Sequence, residues 1–238
     1  MRILGILWIV LSFYLTACGT ATKAKPYVTL TSDEKARQAL DEQDFQKAIE
    51  LYKELVEGDP ENYERYRFLA AAYAAAAGFD IIEAAKSNVS GGESGSLINS
   101  LGQFLPADPS ADQMEWMRLS KDTLLSMPAE FRSKDNAEID YAAGAATQLE
   151  FYQSSYAIMY INQFAKVSES GSLDPSRLES MTDQDVENIL SNFSQVASTG
   201  GEGVPAAAQA ILASIEAKEG STQREKLINY LNATKKTS

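Results

Sequence analysis

The run Asp44-Phe45-Gln46-Lys47-Ala48-Ile49-Glu50-Leu51-Tyr52-Lys53-Glu54-Leu55-Val56-Glu57-Gly58-Asp59-Pro60 spaces its apolar residues for a helix, not a strand. Phe45, Ala48, Leu51, Tyr52, Leu55 and Val56 fall on one face of a 3.6-residue turn. Gly58-Asp59-Pro60 stops the helix, because proline has no N–H to continue the ladder and glycine is a poor helix former. Working upstream, Thr31-Ser32-Asp33-Glu34 offers a capping box in which Thr31 caps and Glu34 reaches back. Ala36, Ala39 and Leu40 then follow at helical spacing to about Gln43. Working downstream, a third helix starts near Glu61, carries Tyr66, Leu69, Ala70, Tyr73 and Ala77, and ends at Gly78. A fourth is expected from Phe79 to Ser87, with Ile81, Ile82 and Ala85. Helices joined by so few residues fold back on one another.

The pattern resembles the tetratricopeptide repeat. Asp44-Phe45, Ala48, Tyr52 and Asp59-Pro60 match its second half: an aromatic, a small residue, a second aromatic and a closing proline. In the next unit Tyr66, Leu69, Ala70, Tyr73 and Phe79 stand where the repeat places an aromatic, a leucine, a small residue, a tyrosine and an aromatic. Phe45 and Phe79 are 34 residues apart, the repeat's period. Departures are Ala39 in place of a tyrosine, Ile82 in place of the second small residue, and no proline closing the second unit. The match is clearest over residues 31–85. It implies an all-α fold of antiparallel helical hairpins, arranged as an α-solenoid or an irregular helical bundle, over residues 31–233.

The rest of the chain continues in that style. Ser90-Gly91-Gly92-Glu93-Ser94-Gly95-Ser96 reads as a loop, and Ser110 caps a helix bearing Met114, Met117, Leu124 and Leu125 up to Pro128. Asn136 to Val167 is the longest helical stretch, slim over Tyr141-Ala142-Ala143-Gly144-Ala145-Ala146 and apolar on most sides. A helix apolar all round belongs in the middle of a bundle. After Asp174-Pro175, Thr182 caps a helix with Val186, Ile189, Leu190 and Phe193 inward. Gly200-Gly201-Glu202-Gly203 links it to a helix opened by Pro205, and Ser221 is expected to cap the last helix before a tail at 234–238.

At the amino end, Met1-Arg2 precedes an apolar run from Ile3 to Leu15, too short to span a bilayer and of signal-peptide pattern. Leu15-Thr16-Ala17-Cys18 resembles the bacterial lipobox, and Cys18 is the chain's single cysteine. The resemblance implies a signal peptide over 1–17, a lipid-attachment site at Cys18 and a tether over 18–30. Gly19 stands where an aspartate would favour inner-membrane retention. The expected place is therefore the outer membrane, facing the periplasm, held through two or more acyl chains.

Composition narrows the function. A formal net charge of −12 repels phosphate backbones and excludes a nucleic-acid partner, and it leaves membrane attachment to the lipid. The chain has no histidine, which removes the commonest general base and metal ligand and points away from an enzyme. Carboxylate pairs such as Glu50 with Glu54 and Asp183 with Glu187 read as solvated faces, and neither a metal nor a cofactor is expected. Tyr152, Tyr156, Tyr160 and Phe164 recur four apart on the long helix, either as filler between hairpins or as a candidate binding groove. The expected function is a scaffold or adaptor that holds a protein or peptide partner in the cell envelope. The alternative is a ligand-binding accessory of a transport system, because the plan is similar to the helical lipoprotein T component of tripartite ATP-independent periplasmic transporters. An open groove would favour the first reading, and a buried cavity walled by those tyrosines the second.

Overall fold

The computed structural model describes residues 30–86, 96–165 and 175–235. It divides the chain into Met1–Thr31 and Ser32–Ser238, and the second unit holds the fold described below. The leader, the lipobox with Cys18 and nearly all of the tether lie outside the described residues, as do the loop through Ser90 and the end of the tail.

Sequence sets the first hairpin. Helix α1 (Ser32–Asp41) and helix α2 (Phe45–Gly58) are separated by three residues and pack together along their lengths, so they run antiparallel. The Asp44 carboxylate accepts from the Lys47 N–H at 3.3 Å and satisfies one of the open donors of α2. The chain turns through Gln43, whose φ of 62° is left-handed. Two short bonds close that turn: the Gln43 N–H donates to the Leu40 carbonyl and the Asp44 N–H to the Ala39 carbonyl. Helix α3 (Tyr63–Ala76) ends in the same way, with Gly78 at φ 87° and the Phe79 N–H donating to the Ala74 carbonyl.

Beyond α3 come α4 (Ile81–Lys86), α5 (Ser96–Gly102), α6 (Ala111–Leu125) and a 3-10 turn at Ala129–Arg132. They are followed by α7 (Ala142–Phe164), α8 (Pro175–Glu179), α9 (Asp183–Ser198), α10 (Val204–Glu216) and α11 (Gln223–Lys235). The described residues contain no strand. Each long helix packs on the next in chain order: α1 on α2, α2 on α3, α3 on α6, α6 on α7, α7 on α9, α9 on α10, α10 on α11. Such a succession suits a helical bundle or solenoid, and the all-α expectation holds. Ser110 and Thr182 cap their helices as expected, and each belongs to a capping box, with Gln113 and with Asp185.

Several boundaries differ from expectation. The long helix begins at Ala142 rather than Asn136 and ends at Phe164 rather than Val167. The Asn136 side chain accepts from the Glu138 N–H and donates to the Glu130 carbonyl, so it builds a turn in place of a helical start. Thr222, not Ser221, sits at the head of α11: its hydroxyl accepts from the Glu225 N–H and its carbonyl from the Lys226 N–H. Helix α5 lies in a stretch the sequence left between loops; Leu97 and Leu101, one turn apart, are both fully buried in it.

Helix α7 is the axis of the molecule. From Leu149 to Met159 its side chains are buried on every side, among them the polar Glu150, Gln153, Ser154 and Ser155. The slim start allows a close approach, since a Cβ added at Gly144 would lie 2.9 Å from the Arg67 guanidinium of α3. Two apolar clusters result. The larger runs from the inner face of α3 through α5, α6, α7, α9, α10 and α11. The smaller joins Ala36, Ala39, Ala48, Ile49, Tyr52, Leu69, Ala72 and Tyr73 across the first three helices. Helix α3 is the shared wall, with Ala70 and Ala74 in one cluster and Leu69 and Tyr73 in the other.

Candidate functional site

The aromatic stripe of α7 is packed. Tyr152 is fully buried and meets Phe79 edge-on, with ring centroids 6.1 Å apart. Tyr156 is 8% exposed, meets Tyr160 edge-on at 5.1 Å, and lies under the Lys121 ammonium at 5.1 Å. The Tyr160 hydroxyl accepts from Asn188 of α9 at 3.2 Å, and Phe164 lies half-buried against the same core. Burial pushes the Tyr152 and Tyr156 phenols well above the ordinary tyrosine range. Tyr152 and Tyr156 thus serve as core walls, and neither is open to a partner from outside. Trp116 is also half-buried, touching both apolar clusters at once. The carboxylates of Glu50, Glu54, Asp183 and Glu187 all stand at the surface.

Two surface depressions are better placed to receive a partner. The first, of about 510 Å³, opens between the end of α1, the start of α2 and the outer side of α3. Leu40, Phe45, Ala71, Ala75 and Ile81 give it an apolar, partly exposed lining, and Asp41 and Asp80 stand on its rim. Gln43, held in its left-handed conformation, projects from the α1–α2 turn into the same lining. Asp80 already accepts from the Glu83 N–H at the head of α4, whereas Asp41 has no ion-pair partner among the described residues. Ala71 and Ala75 are one turn apart, so α3 presents a flat strip with no long side chain to fill the space.

The second depression lies partly between α9 and the head of α11 and partly between α9 and α10. It has two adjoining parts of about 400 and 490 Å³ that share Leu190, Ser194 and Gln223.

A third feature is structural chemistry that the sequence did not announce. Glu150, 3% exposed on α7, pairs with the Lys134 ammonium at 2.6 Å and accepts from the Thr199 hydroxyl at 2.8 Å. One carboxylate thereby ties the loop before α7 to the end of α9. Tyr63, Phe131 and Tyr141 form a ladder of rings, with centroids 4.3 and 6.4 Å apart, that braces the same loop on α3.

The geometry defines an all-α protein of successive helix pairs with open apolar depressions at its two ends of chain. The chain matches no protein-family model, no curated protein and no solved structure. Among the described residues no helix is long and apolar enough to cross a membrane.

Proposed function

We propose that this protein is a lipid-anchored envelope lipoprotein whose helical domain is a passive docking scaffold, tetratricopeptide-like at its amino end. The observation that carries this reading is the depression over Leu40, Phe45, Ala71, Ala75 and Ile81. Apolar side chains left half-exposed between two helix pairs suit a short apolar peptide segment of a partner, with the carboxylates of Asp41 and Asp80 favouring positive flanks. Anchoring would come from lipid on Cys18, which fixes the scaffold at the outer membrane, facing the periplasm, without a spanning helix. The ligand-carrier alternative needs an enclosed cavity walled by Tyr152 and Tyr156, and the packing of those rings on Phe79 and Tyr160 gives it no support.

Two experiments test the two halves. Cys18→Ser releases the protein to the soluble periplasmic fraction or leaves the precursor uncleaved; a variant still labelled by fatty acid defeats the anchor. Ala75→Arg fills the first depression with a charge while leaving the core untouched, since Ala75 is only half-buried. Reversible crosslinking in intact cells then recovers a partner with the parent chain and loses it with Ala75→Arg. The same set of captured proteins from both chains defeats the scaffold reading of that depression.

A further inference from the structure

We infer that the Gln43 side-chain amide clamps the main chain of the partner segment in the first depression, so that the segment lies extended across it. The inference rests on the docking reading of that depression and goes beyond it, to the residue that selects the form of the partner.

Two turns in one lining carry the argument. Among the described residues Gln43 is the one non-glycine at positive φ, and it lines the depression. Gly78, in the same lining, makes the same kind of turn at the end of α3 without a side chain. Glycine would serve the backbone of both turns without strain. Residues held in sparsely populated backbone regions gather at ligand clamps, where the strain is part of the function. The side chain supplies the reason here. Gln43 is exposed, and its amide group makes no hydrogen bond among the described residues, while its backbone N–H closes the turn on Leu40.

A primary amide offers N–H donors and a carbonyl acceptor, the two functions of a peptide group. It matches a main chain whose own N–H and C=O groups are unpaired. In a helix those groups are bonded internally, from residue i to i−4, so the match is to an extended segment. The floor agrees. Ala71 and Ala75 carry only methyl groups and let a backbone come close. Charge sets the flanks: Asp41 and Asp80 belong to the lining, and no lysine or arginine does. Arg37, one turn before Asp41 on α1, lies over the Phe68 ring at 4.7 Å. The favoured occupant is an extended, apolar stretch of a partner protein with Lys or Arg beside it.

The test places a photo-crosslinking amino acid at Ile81 of the full-length chain in intact cells, with Lys53, exposed on α2, as the control position. The crosslinked segment is sequenced by mass spectrometry, made as a synthetic peptide and titrated against the purified full-length protein. Two variants separate the amide from the turn. Gln43→Met keeps the reach and the strain but lacks the amide, and Gln43→Gly removes all three. Each is expected to weaken peptide binding about two- to tenfold, the effect of one neutral hydrogen bond. Gln43→Gly nevertheless melts higher than the parent, and Gln43→Met melts with it. Replacing one particular peptide amide by an ester weakens binding to the parent and has no further effect on Gln43→Met, because its partner is already gone. The clamp is overturned if Gln43→Met binds as the parent does, if every ester weakens both proteins equally, or if the bound peptide adds helical circular dichroism. In those cases a crosslink still lost with Ala75→Arg leaves the docking reading standing. No product above the Lys53 control, or one that Ala75→Arg does not diminish, defeats the docking reading and the clamp with it.

Discussion

Gln43 occupies a backbone position that L side chains adopt at a cost. At the end of α3 the same kind of turn is made by Gly78, which has no Cβ to clash. The left-handed region costs a non-glycine residue on the order of 1–2 kcal/mol, offset in part by the greater freedom glycine has when unfolded. Gln43→Gly is therefore expected to stabilise the protein by roughly 0.5–1 kcal/mol, or about 1–4 °C in a domain of this size. Gly78→Ala goes the other way, because φ is 87° and the new Cβ would sit 3.3 Å from the Pro106 ring. Thermal melts that move both variants in the same direction would contradict the two turns. Buried phenols give a second expectation at this scale. Burial pushes the Tyr52 hydroxyl up to about 12, against the opposing pull of Arg37, and Tyr152 and Tyr156 are raised further by the same cause. A folded pKa above the unfolded one means that the native state holds its proton longer. That stabilisation is complete below about pH 10 and drains away as pH rises through the folded value. The phenolate absorbance of these tyrosines should thus appear together with unfolding; free titration near pH 10 in a protein with intact circular dichroism would show that they are open to water.

At the scale of elements, the Glu150 clasp is where one residue holds three segments. Removing Lys134 leaves a carboxylate buried in α7 with one hydroxyl donor, and an uncompensated buried charge is strongly destabilising. Because Lys134 is itself 41% exposed, the expected cost of Lys134→Met is reduced to about 1–3 kcal/mol. Glu150→Gln in the same chain should recover most of it, and a double-mutant cycle in denaturant reads the coupling. Independent, additive effects would mean that the pair is incidental. Nothing in the sequence foretold this clasp, since Glu150, Lys134 and Thr199 are far apart along the chain. What was legible was local: the apolar period of α2 and α3, the Ser110 and Thr182 caps, the proline and glycine stops. Those signals act within one or two turns. Asn136 misled because its side chain fits a turn as well as it fits the approach to a helix. The stripe from Tyr152 to Phe164 could not be sorted into wall or groove from periodicity alone. That depends on which helices cover it, and the covering helices α6 and α9 lie on opposite sides of it in sequence. The same limit hid the two depressions, each walled by helices whose meeting no short pattern records.

On the scale of the whole molecule, the two apolar clusters imply unequal stability. Burial of apolar area is the main favourable term in folding, and the cluster joining α1, α2 and the outer face of α3 is much the smaller. It is also rich in alanine: Ala36, Ala39, Ala48 and Ala72 are buried with little side chain to bury. Local opening free energies follow the number of such contacts, so the first hairpin should open before the body. Hydrogen exchange in low denaturant is expected to show amides of α1 and α2 exchanging through a partial opening, while those of α6, α7 and α9 wait for global unfolding. Trp116 gives an optical reading of the same event. It touches both clusters, and the chain's other tryptophan, Trp8, belongs to the expected leader. Its fluorescence should change in the first opening and again in the second, which makes the transition biphasic by this probe and nearly single by far-ultraviolet circular dichroism. Such a hairpin would also let the first depression adjust to a peptide while the second depression, built on the larger cluster, stays rigid. Coincident transitions by all three methods would make the two clusters one cooperative unit and remove the basis for that difference.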